Sequence, residues 1–209
     1  MSEADALRVA LTFDAEHPDR PKGPSGNAEA ILDTLRDARI RATFFIQSRW
    51  ATSHPTTTER IANEGHLVGH HSKFHAPMSL LSDDGLRTDV REAEEEIERI
   101  AGASPRPWFR CPFGDGRDDP RVLAALNDLG YRNIHWDVEA EDWEDWQTGP
   151  GVRDRIVDGV RARGFRDVVV LLHTWPAPTA EALPGILGAL DAEGVRFVTL
   201  DQLEEAQVP

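Results

Sequence analysis

Short apolar runs rich in β-branched and aromatic residues alternate along the chain with longer stretches in which apolar residues recur at helical spacing. The runs lie at residues 9–14, 42–46, 66–71, 108–112, 133–137, 168–173 and 196–200. Such runs predict strands, whereas one recurring set predicts a long amphipathic helix: Leu86, Val90, Ala93, Ile97 and Ile100. About seven strands that alternate with helices predict an α/β fold with a parallel sheet and helices outside it.

Several helix ends are marked in the sequence. Asp119 before Pro120 predicts a helix start with a side-chain cap, and Thr56 with Glu59 resembles a capping box. Glycines follow the apolar stripes where a left-handed residue is expected to end a helix, at Gly102, Gly130, Gly164 and Gly194.

The composition is that of a single globular domain spanning residues 1–209. Its 40% apolar and 29% charged residues exclude a disordered or fibrous chain, and its net charge of −14 would repel nucleic acid. The only cysteine, Cys111, excludes an internal disulfide and a cysteine-rich metal site. No apolar run is long enough to span a membrane.

The first residues of the chain carry acidic side chains and lack the apolar segment of a signal peptide. We therefore expect a cytoplasmic protein, or a secreted one if a leader has been trimmed away. Nothing in the sequence sets the oligomeric state.

Four of the eight histidines lie within ten positions, and His71 and His75 are four residues apart. One helical turn would place these two on the same face, where imidazole nitrogens could bind a divalent metal ion. The alternative is a solvated histidine-rich loop without a ligand.

Two carboxylates and an arginine stand at the ends of predicted strands. Asp14 and Glu16 can share one face of a strand while Ala15 points away, so one could bind a metal ion and the other accept a proton. Arg110 ends another strand and could hold Asp14 in an ionised state through a forked hydrogen bond. A structural ion pair explains Arg110 equally well.

The run at 168–173 ends at His173, which would suit acid–base chemistry near neutral pH. Asp142 could keep this imidazole protonated, and Trp143 could wall an apolar pocket. A histidine satisfied within the core and a surface loop are the alternatives. Because the carboxyl ends of parallel strands meet at one edge of a sheet, we expect the site at that edge.

In this order the motifs resemble those of the NodB-homology polysaccharide deacetylases, carbohydrate esterase family 4. The matching segments are residues 11–14, 42–46, 65–75, 110–114, 136–143 and 171–173. The resemblance runs from about residue 9 to residue 203. It implies a distorted (β/α) barrel of about seven parallel strands, and one divalent metal ion, zinc first, with cobalt or nickel as alternatives.

The resemblance also implies a role for each matching residue. It assigns Asp14 as general base, oriented by Arg110, and His173 as general acid, tuned by Asp142. His71 and His75 would be metal ligands, and the Phe113 N–H would be an oxyanion donor. Trp143 and Leu171 would line the pocket for the acetyl group. The expected activity is hydrolysis of an N- or O-linked acetyl group on a carbohydrate such as chito-oligosaccharide, peptidoglycan or xylan.

This sequence departs from the family pattern at two positions. The usual second aspartate, a metal ligand, is replaced by Ala15, so Glu16 is the expected third ligand and His17 the substitute. Cys111 stands where the family usually has proline, which predicts a local backbone change.

Two other functions fit the sequence. An amide hydrolase on a small cyclic imide or ureide is favoured by the pattern Asp14-Ala15-Glu16. A non-catalytic glycan-binding barrel is favoured by the missing aspartate, although retention of both Asp14 and His173 argues against it.

Overall fold

The computed structural model describes residues 7–17, 26–164 and 167–205, where strands and helices largely alternate. These residues form eight strands: β1 Arg8–Ala15, β2 Thr43–Ile46, β3 Leu67–His70, β4 Trp108–Phe109, β5 Arg132–Asn133, β6 Val138–Glu139, β7 Val168–His173 and β8 Arg196–Val198. They also form eight α-helices: α1 Asn27–Ala38, α2 Ser48–Ser53, α3 Pro55–Asn63, α4 Asp83–Ala101, α5 Pro120–Asp128, α6 Gly149–Arg163, α7 Ala177–Ala192 and α8 Leu200–Glu205. Short 3-10 turns lie at Met78–Leu80 and Pro112–Gly114.

The strands are hydrogen-bonded in the order β5-β4-β3-β2-β1-β7-β6, and β8 also pairs with β1. The pairs β1–β8, β3–β4, β4–β5 and β6–β7 are all parallel. Parallel neighbours need a crossover connection, and helices supply it here. This arrangement confirms the predicted α/β class.

The described chain clusters into two units. One comprises the described residues of Met1–Phe13, Pro18–Thr43 and Trp136–Pro209, and the other comprises Asp14–His17 and Phe44–His135. In the first unit, α7 packs against α1 and α6, and α6 also packs against β6 and β7. The assignment of residues 1–209 to one catalytic domain stays a prediction.

In the second unit, the long helix α4 contacts α2, α3, α5 and β3. The apolar positions predicted for α4 are buried, and two of them, Leu86 and Val90, join a core cluster with Phe109 and Leu126. Burial of such a stripe is what fixes one face of a long amphipathic helix. The helix α4 therefore packs against β3, the strand that His71 follows.

The strand predicted at residues 133–137 is wrong. Only its first residue, Asn133, lies in a strand, the end of β5; residues 134–137 lie in no strand, and β6 begins at Val138. Backbone bonds give the reason: the Ile134 N–H donates to the Phe109 carbonyl at 2.7 Å, whereas the Asp137 N–H donates to the Val169 carbonyl at 2.8 Å. Because the segment serves two different partner strands, it cannot form one continuous ladder.

The predicted helix ends are borne out at most positions. The Asp119 side chain accepts the N–H of Arg121 at 2.9 Å, and Gly102 ends α4 at a φ of 66°. The capping box at Thr56 is wrong, because α3 begins at Pro55. Proline has the φ of a first helical residue and no N–H to leave unpaired, so the helix starts there.

No helix in the described part of the chain is both long enough and apolar enough to cross a membrane.

The glycine in β3 makes room for an aromatic ring on the neighbouring strand. A Cβ at Gly69 would lie 2.7 Å from Cδ1 of Phe45, closer than two carbon atoms can pack. Phe45 is fully buried, and the guanidinium carbon of Arg110 lies 4.1 Å from its ring centroid. The ring therefore has little freedom to move aside.

We predict that Gly69→Ala lowers the free energy of unfolding by about 1–3 kcal/mol, as overpacking of a core does. Gly188→Ala is the control, because its new Cβ meets nothing within 4 Å in helix α7. This control should be neutral or stabilising by up to about 1 kcal/mol, since alanine favours a helix interior. Urea unfolding measures both variants, and equal stabilities for Gly69→Ala and the unmodified protein would contradict the packing argument.

Candidate functional site

Three backbone hydrogen bonds align the carboxyl ends of the strands in the second unit. They run from the Gln47 N–H to the Ala15 carbonyl at 2.9 Å, from the His71 N–H to the Ile46 carbonyl at 3.0 Å, and from the Arg110 N–H to the His70 carbonyl at 2.9 Å. The residues that follow each strand are thereby brought to one edge. This edge carries Glu16, His71 and Arg110, as parallel strands require.

Glu16, His71 and His75 form a cluster that can hold a metal ion. One ligand atom from each residue lies within 4.8 Å of the others, and all three side chains are buried. Oε2 of Glu16 lies 3.1 Å from Nε2 of His71 and 2.5 Å from Nε2 of His75. Two imidazoles and one carboxylate are a ligand set typical of catalytic zinc sites. We call these three residues the metal-binding cluster.

The contacts of His71 direct its Nε2 towards two carboxylates. Nδ1 of His71 lies 2.9 Å from the Arg110 carbonyl, which can only accept, so Nδ1 carries a proton. In a neutral His71 the lone pair of Nε2 then faces Glu16 at 3.1 Å and Asp14 at 3.6 Å. A lone pair among carboxylate oxygens is repelled unless a proton or a metal ion lies between them. A ligand histidine whose second nitrogen is held by a carbonyl is the usual arrangement in metal sites.

The loop between the two histidines is not the predicted helical turn. Ser72 and His75 have positive φ values of 62° and 55°, in the left-handed region. The Ser72 hydroxyl accepts the N–H of His75 at 3.0 Å and closes the loop. The reversal of the chain, rather than a helix face, brings His75 back to His71, with ring centroids 5.0 Å apart.

Arg110 contacts Asp14 as expected, through a bond from Nη1, while its Nε donates to the Ile134 carbonyl instead of completing the expected fork. Its Nη1 donates to Oδ1 of Asp14 at 2.8 Å, and both side chains are almost fully buried. Burial lowers the pKa of Arg110, while the charge of Asp14 and its hydrogen bond raise it. Since arginine titrates far above neutral pH, Arg110 keeps its positive charge. Asp14 is thus a fixed carboxylate beside the metal-binding cluster.

Phe113 lies next to His75, and its ring centroid is 4.4 Å from that of the histidine. The residue belongs to the 3-10 turn after β4 and has a φ of 59°. Its side chain is 59% exposed, which is unusual for a phenylalanine. A large exposed aromatic beside a polar cluster is a candidate substrate contact.

The other nearby histidines do not join the metal-binding cluster. His70 is fully buried, donates from Nε2 to the Val90 carbonyl at 3.0 Å and accepts the Ser72 N–H, and burial lowers its pKa to about 4. His66 packs edge-on against Phe44. Nε2 of His17, the substitute ligand considered above, lies 3.2 Å from the Ser53 hydroxyl. The geometry therefore favours Glu16 over His17.

In the first unit, His173 at the end of β7 is held by Asp142. Oδ1 of Asp142 accepts the Nδ1 proton at 2.8 Å, and Oδ2 accepts the backbone N–H of His173 at 2.8 Å. The same Oδ2 accepts the hydroxyl of Thr179 at 2.5 Å. Asp142 is fully buried, and its carboxylate accepts three hydrogen bonds, two from His173 and one from Thr179. Because Asp142 occupies Nδ1, Nε2 is the atom of His173 that can exchange a proton.

The predicted pocket residues lie beside His173. The ring of Trp143 meets that of His173 edge-on, with centroids 5.1 Å apart. Leu171 is buried and precedes His173 by two positions in β7, so both side chains leave the same face of the sheet. Thr179 was not among the residues predicted for the site. A threonine in the first turn of the helix after His173 was the available signal, but only the fold shows which carboxylate it reaches.

Comparison with known proteins identifies the family. The family model for polysaccharide deacetylases matches residues 2–134. A peptidoglycan-N-acetylglucosamine deacetylase of Bacillus cereus is 32% identical over 200 residues, which cover 93% of this chain and 67% of that protein. The chain belongs to the polysaccharide deacetylase family. The resemblance of its motifs to NodB-homology proteins is thereby confirmed.

Other members of the polysaccharide deacetylase family extend the comparison. A chitooligosaccharide deacetylase of Rhizobium leguminosarum bv. trifolii is 30% identical, over 95% of this chain and 93% of that protein. The structure of a family 4 pseudoenzyme from Bacillus anthracis matches with a TM-score of 0.80 and 25% identity, over 96% of this chain and 66% of that chain. The predicted fold type, a NodB-homology α/β fold, is confirmed. The family includes at least one protein described as a pseudoenzyme, so membership alone does not show activity.

The cysteine at the position where the family usually has proline has a structural role. The Cys111 N–H donates to Oδ1 of Asn133 at 3.0 Å, a bond that proline could not make. The thiol is buried, and burial raises its pKa to about 12. Arg110 keeps its place beside this substitution.

We predict that Cys111 does not react with a thiol reagent at mildly alkaline pH in the folded protein, because the thiolate is the reactive form. In denaturant the single cysteine should react rapidly and completely, which provides the control. Colorimetric thiol titration measures both states. Rapid reaction of the native protein would show that the strand end beside Arg110 is open.

Proposed function

We propose that this chain is a metal-dependent hydrolase that removes the acetyl group from an N-acetylated amino sugar in a glycan. The observation that carries the proposal is the buried meeting of His71, His75 and Glu16, in which Nε2 of both histidines faces the Glu16 carboxylate. Two further groups are suited to acid–base chemistry, Asp14 in the second unit and His173 in the first. A protein that only binds glycan needs neither.

Glu16, His71 and His75 would hold one divalent metal ion. We propose zinc, because two imidazoles and a carboxylate suit it, with cobalt and nickel as alternatives. When bound, such an ion supplies Lewis acidity that polarises an acyl carbonyl and favours the ionisation of water.

Asp14 would act as the general base. Arg110 occupies its Oδ1 and orients the carboxylate, so we assign proton acceptance from the attacking water to Oδ2. The backbone N–H of Phe113 would donate to the oxyanion that develops on the acyl oxygen. Donors of this kind are typically worth about 10²–10³ in rate.

His173 would act as the general acid. Asp142 accepts its Nδ1 proton and thereby directs Nε2 to the leaving group. Protonation of the leaving nitrogen is needed because an amide anion is a poor leaving group. Trp143 and Leu171, which lie beside His173, would form the apolar surface for the acetyl methyl group.

The relatives support an amino-sugar substrate. Those with named activities act on chitooligosaccharide or on the N-acetylglucosamine or N-acetylmuramic acid of peptidoglycan. We therefore propose N-deacetylation, and place small cyclic imides and O-acetylated xylan as alternatives. Assays of acetylated chito-oligosaccharide, peptidoglycan, acetylxylan and a cyclic imide side by side distinguish them, and turnover of the imide alone would refute the proposal.

We predict that the purified protein binds about one equivalent of zinc, and that His71→Ala loses it because one of three ligands is gone. His173→Ala should keep the zinc and lose about 10²–10⁴ in turnover, since only the proton donor is removed. Metal analysis and release of acetate measure the two effects. Equal metal content and equal activity in both variants would be incompatible with these assignments.

We also predict that Glu16→Gln weakens zinc binding, because the neutral amide is a poorer ligand than the carboxylate. His17→Gln is the matched control on the adjacent residue, and its affinity should equal that of the unmodified protein. Competition with a chromogenic chelator measures both. A loss of affinity in His17→Gln alone would assign the third ligand to His17.

A further inference from the structure

A buried carboxylate on helix α4 holds the loop that carries His75. Oδ1 of Asp89 accepts the backbone N–H of Lys73 at 2.9 Å, and Oδ2 accepts that of Phe74 at 3.2 Å. Asp89 is only 5% exposed. One side chain thus holds both backbone amides that lie between Ser72 and His75.

The loop needs such a restraint because its conformation is unusual. Ser72 and His75 are both left-handed, although neither is glycine. Residues with side chains adopt this conformation only where the surroundings impose it. The bond between the Ser72 hydroxyl and the His75 N–H is internal to the loop. It fixes the loop's shape but not its position relative to the strands.

Helix α4 is a suitable anchor for this loop. Its buried face includes Leu86, Val90 and Ala93, and the carbonyl of Val90 accepts Nε2–H of His70 at 3.0 Å. Nδ1 of His70 in turn accepts the N–H of Ser72 at 3.0 Å. The start of the loop is therefore tied to the same helical turn whose Asp89 holds its middle.

We propose that Asp89 is a positioning residue that sets the metal affinity of the cluster, by fixing the loop so that Nε2 of His75 lies beside Glu16 and His71. The inference rests on the metal-binding role proposed above. Asp89 itself does not reach the ion. Groups that hold metal ligands in place typically affect affinity about 10–100-fold when they are changed.

The chain offers a matched control on the same helix. Glu92 lies one turn after Asp89, is half exposed, and accepts from Nζ of the same Lys73 at 3.1 Å. It contacts the side chain of the loop residue instead of its backbone. Exposed ion pairs of this kind contribute little. Glu92→Gln and Asp89→Asn therefore both replace a carboxylate with an amide. The first change lies at the side chain of Lys73 and the second at its backbone N–H.

The test is zinc affinity by chelator competition on the full chain. Asp89→Asn should bind zinc about 10–100-fold more weakly, because its amide group turns an NH₂ donor towards one of the two backbone N–H groups. Glu92→Gln should match the unmodified protein. Amide hydrogen exchange of the metal-free proteins provides a second readout: the amides of Lys73 and Phe74 should exchange faster in Asp89→Asn, while those within α4 should not change.

Each outcome decides the matter. Unaltered zinc affinity and loop exchange in Asp89→Asn would overturn the inference alone, because the unmodified protein would still bind zinc. Absence of zinc binding by the unmodified protein would overturn the proposed function and this inference together. If Asp89→Asn does not fold, Asp89→Glu keeps the charge on a longer side chain. Its affinity should be lower than that of the unmodified protein, and full affinity would contradict a role that depends on position.

Discussion

The metal-binding cluster depends on one hydrogen bond, from Nδ1 of His71 to the carbonyl of Arg110. It fixes the tautomer of a buried imidazole and directs the other nitrogen at Glu16 and Asp14. The energetic consequence follows from burial, since buried polar groups are costly unless each has a partner of the opposite kind. A neutral imidazole whose Nε2 faces carboxylates is such an imbalance. A proton on Nε2 or a cation bound between the groups would remove it.

Arg110 links the cluster to the fold through both its backbone and its side chain. Its carbonyl orients His71, its N–H continues the bonding of β4 to β3, and its guanidinium holds Asp14. The guanidinium also lies over Phe45, whose ring occupies the space that Gly69 leaves open. A glycine in a strand, an aromatic ring and a buried arginine are therefore one packing arrangement. Through it, the geometry of the cluster depends on the sheet itself.

The pair formed by Asp142 and His173 in the first unit follows the same logic with different groups. Asp142 is buried, and His173 and Thr179 supply the three donors that satisfy it. A fully satisfied buried carboxylate can hold an imidazole in one orientation. Apolar side chains in the place of this pair or of the metal-binding cluster would stabilise the folded protein equally well. Their presence is more readily explained by chemistry than by stability.

The sequence by itself determined the α/β class, most strand and helix positions, and the residue types at the strand ends, because hydrophobic periodicity and capping residues are local signals. It could not determine that residues 134–137 serve two partner strands, that His71 and His75 meet through a left-handed loop instead of a helix, or that Glu16 and not His17 faces them. The contributions of Asp89 and Thr179 were equally out of reach. Each of these depends on which backbone group or carboxylate lies opposite, and residues distant along the chain become neighbours only in the tertiary structure.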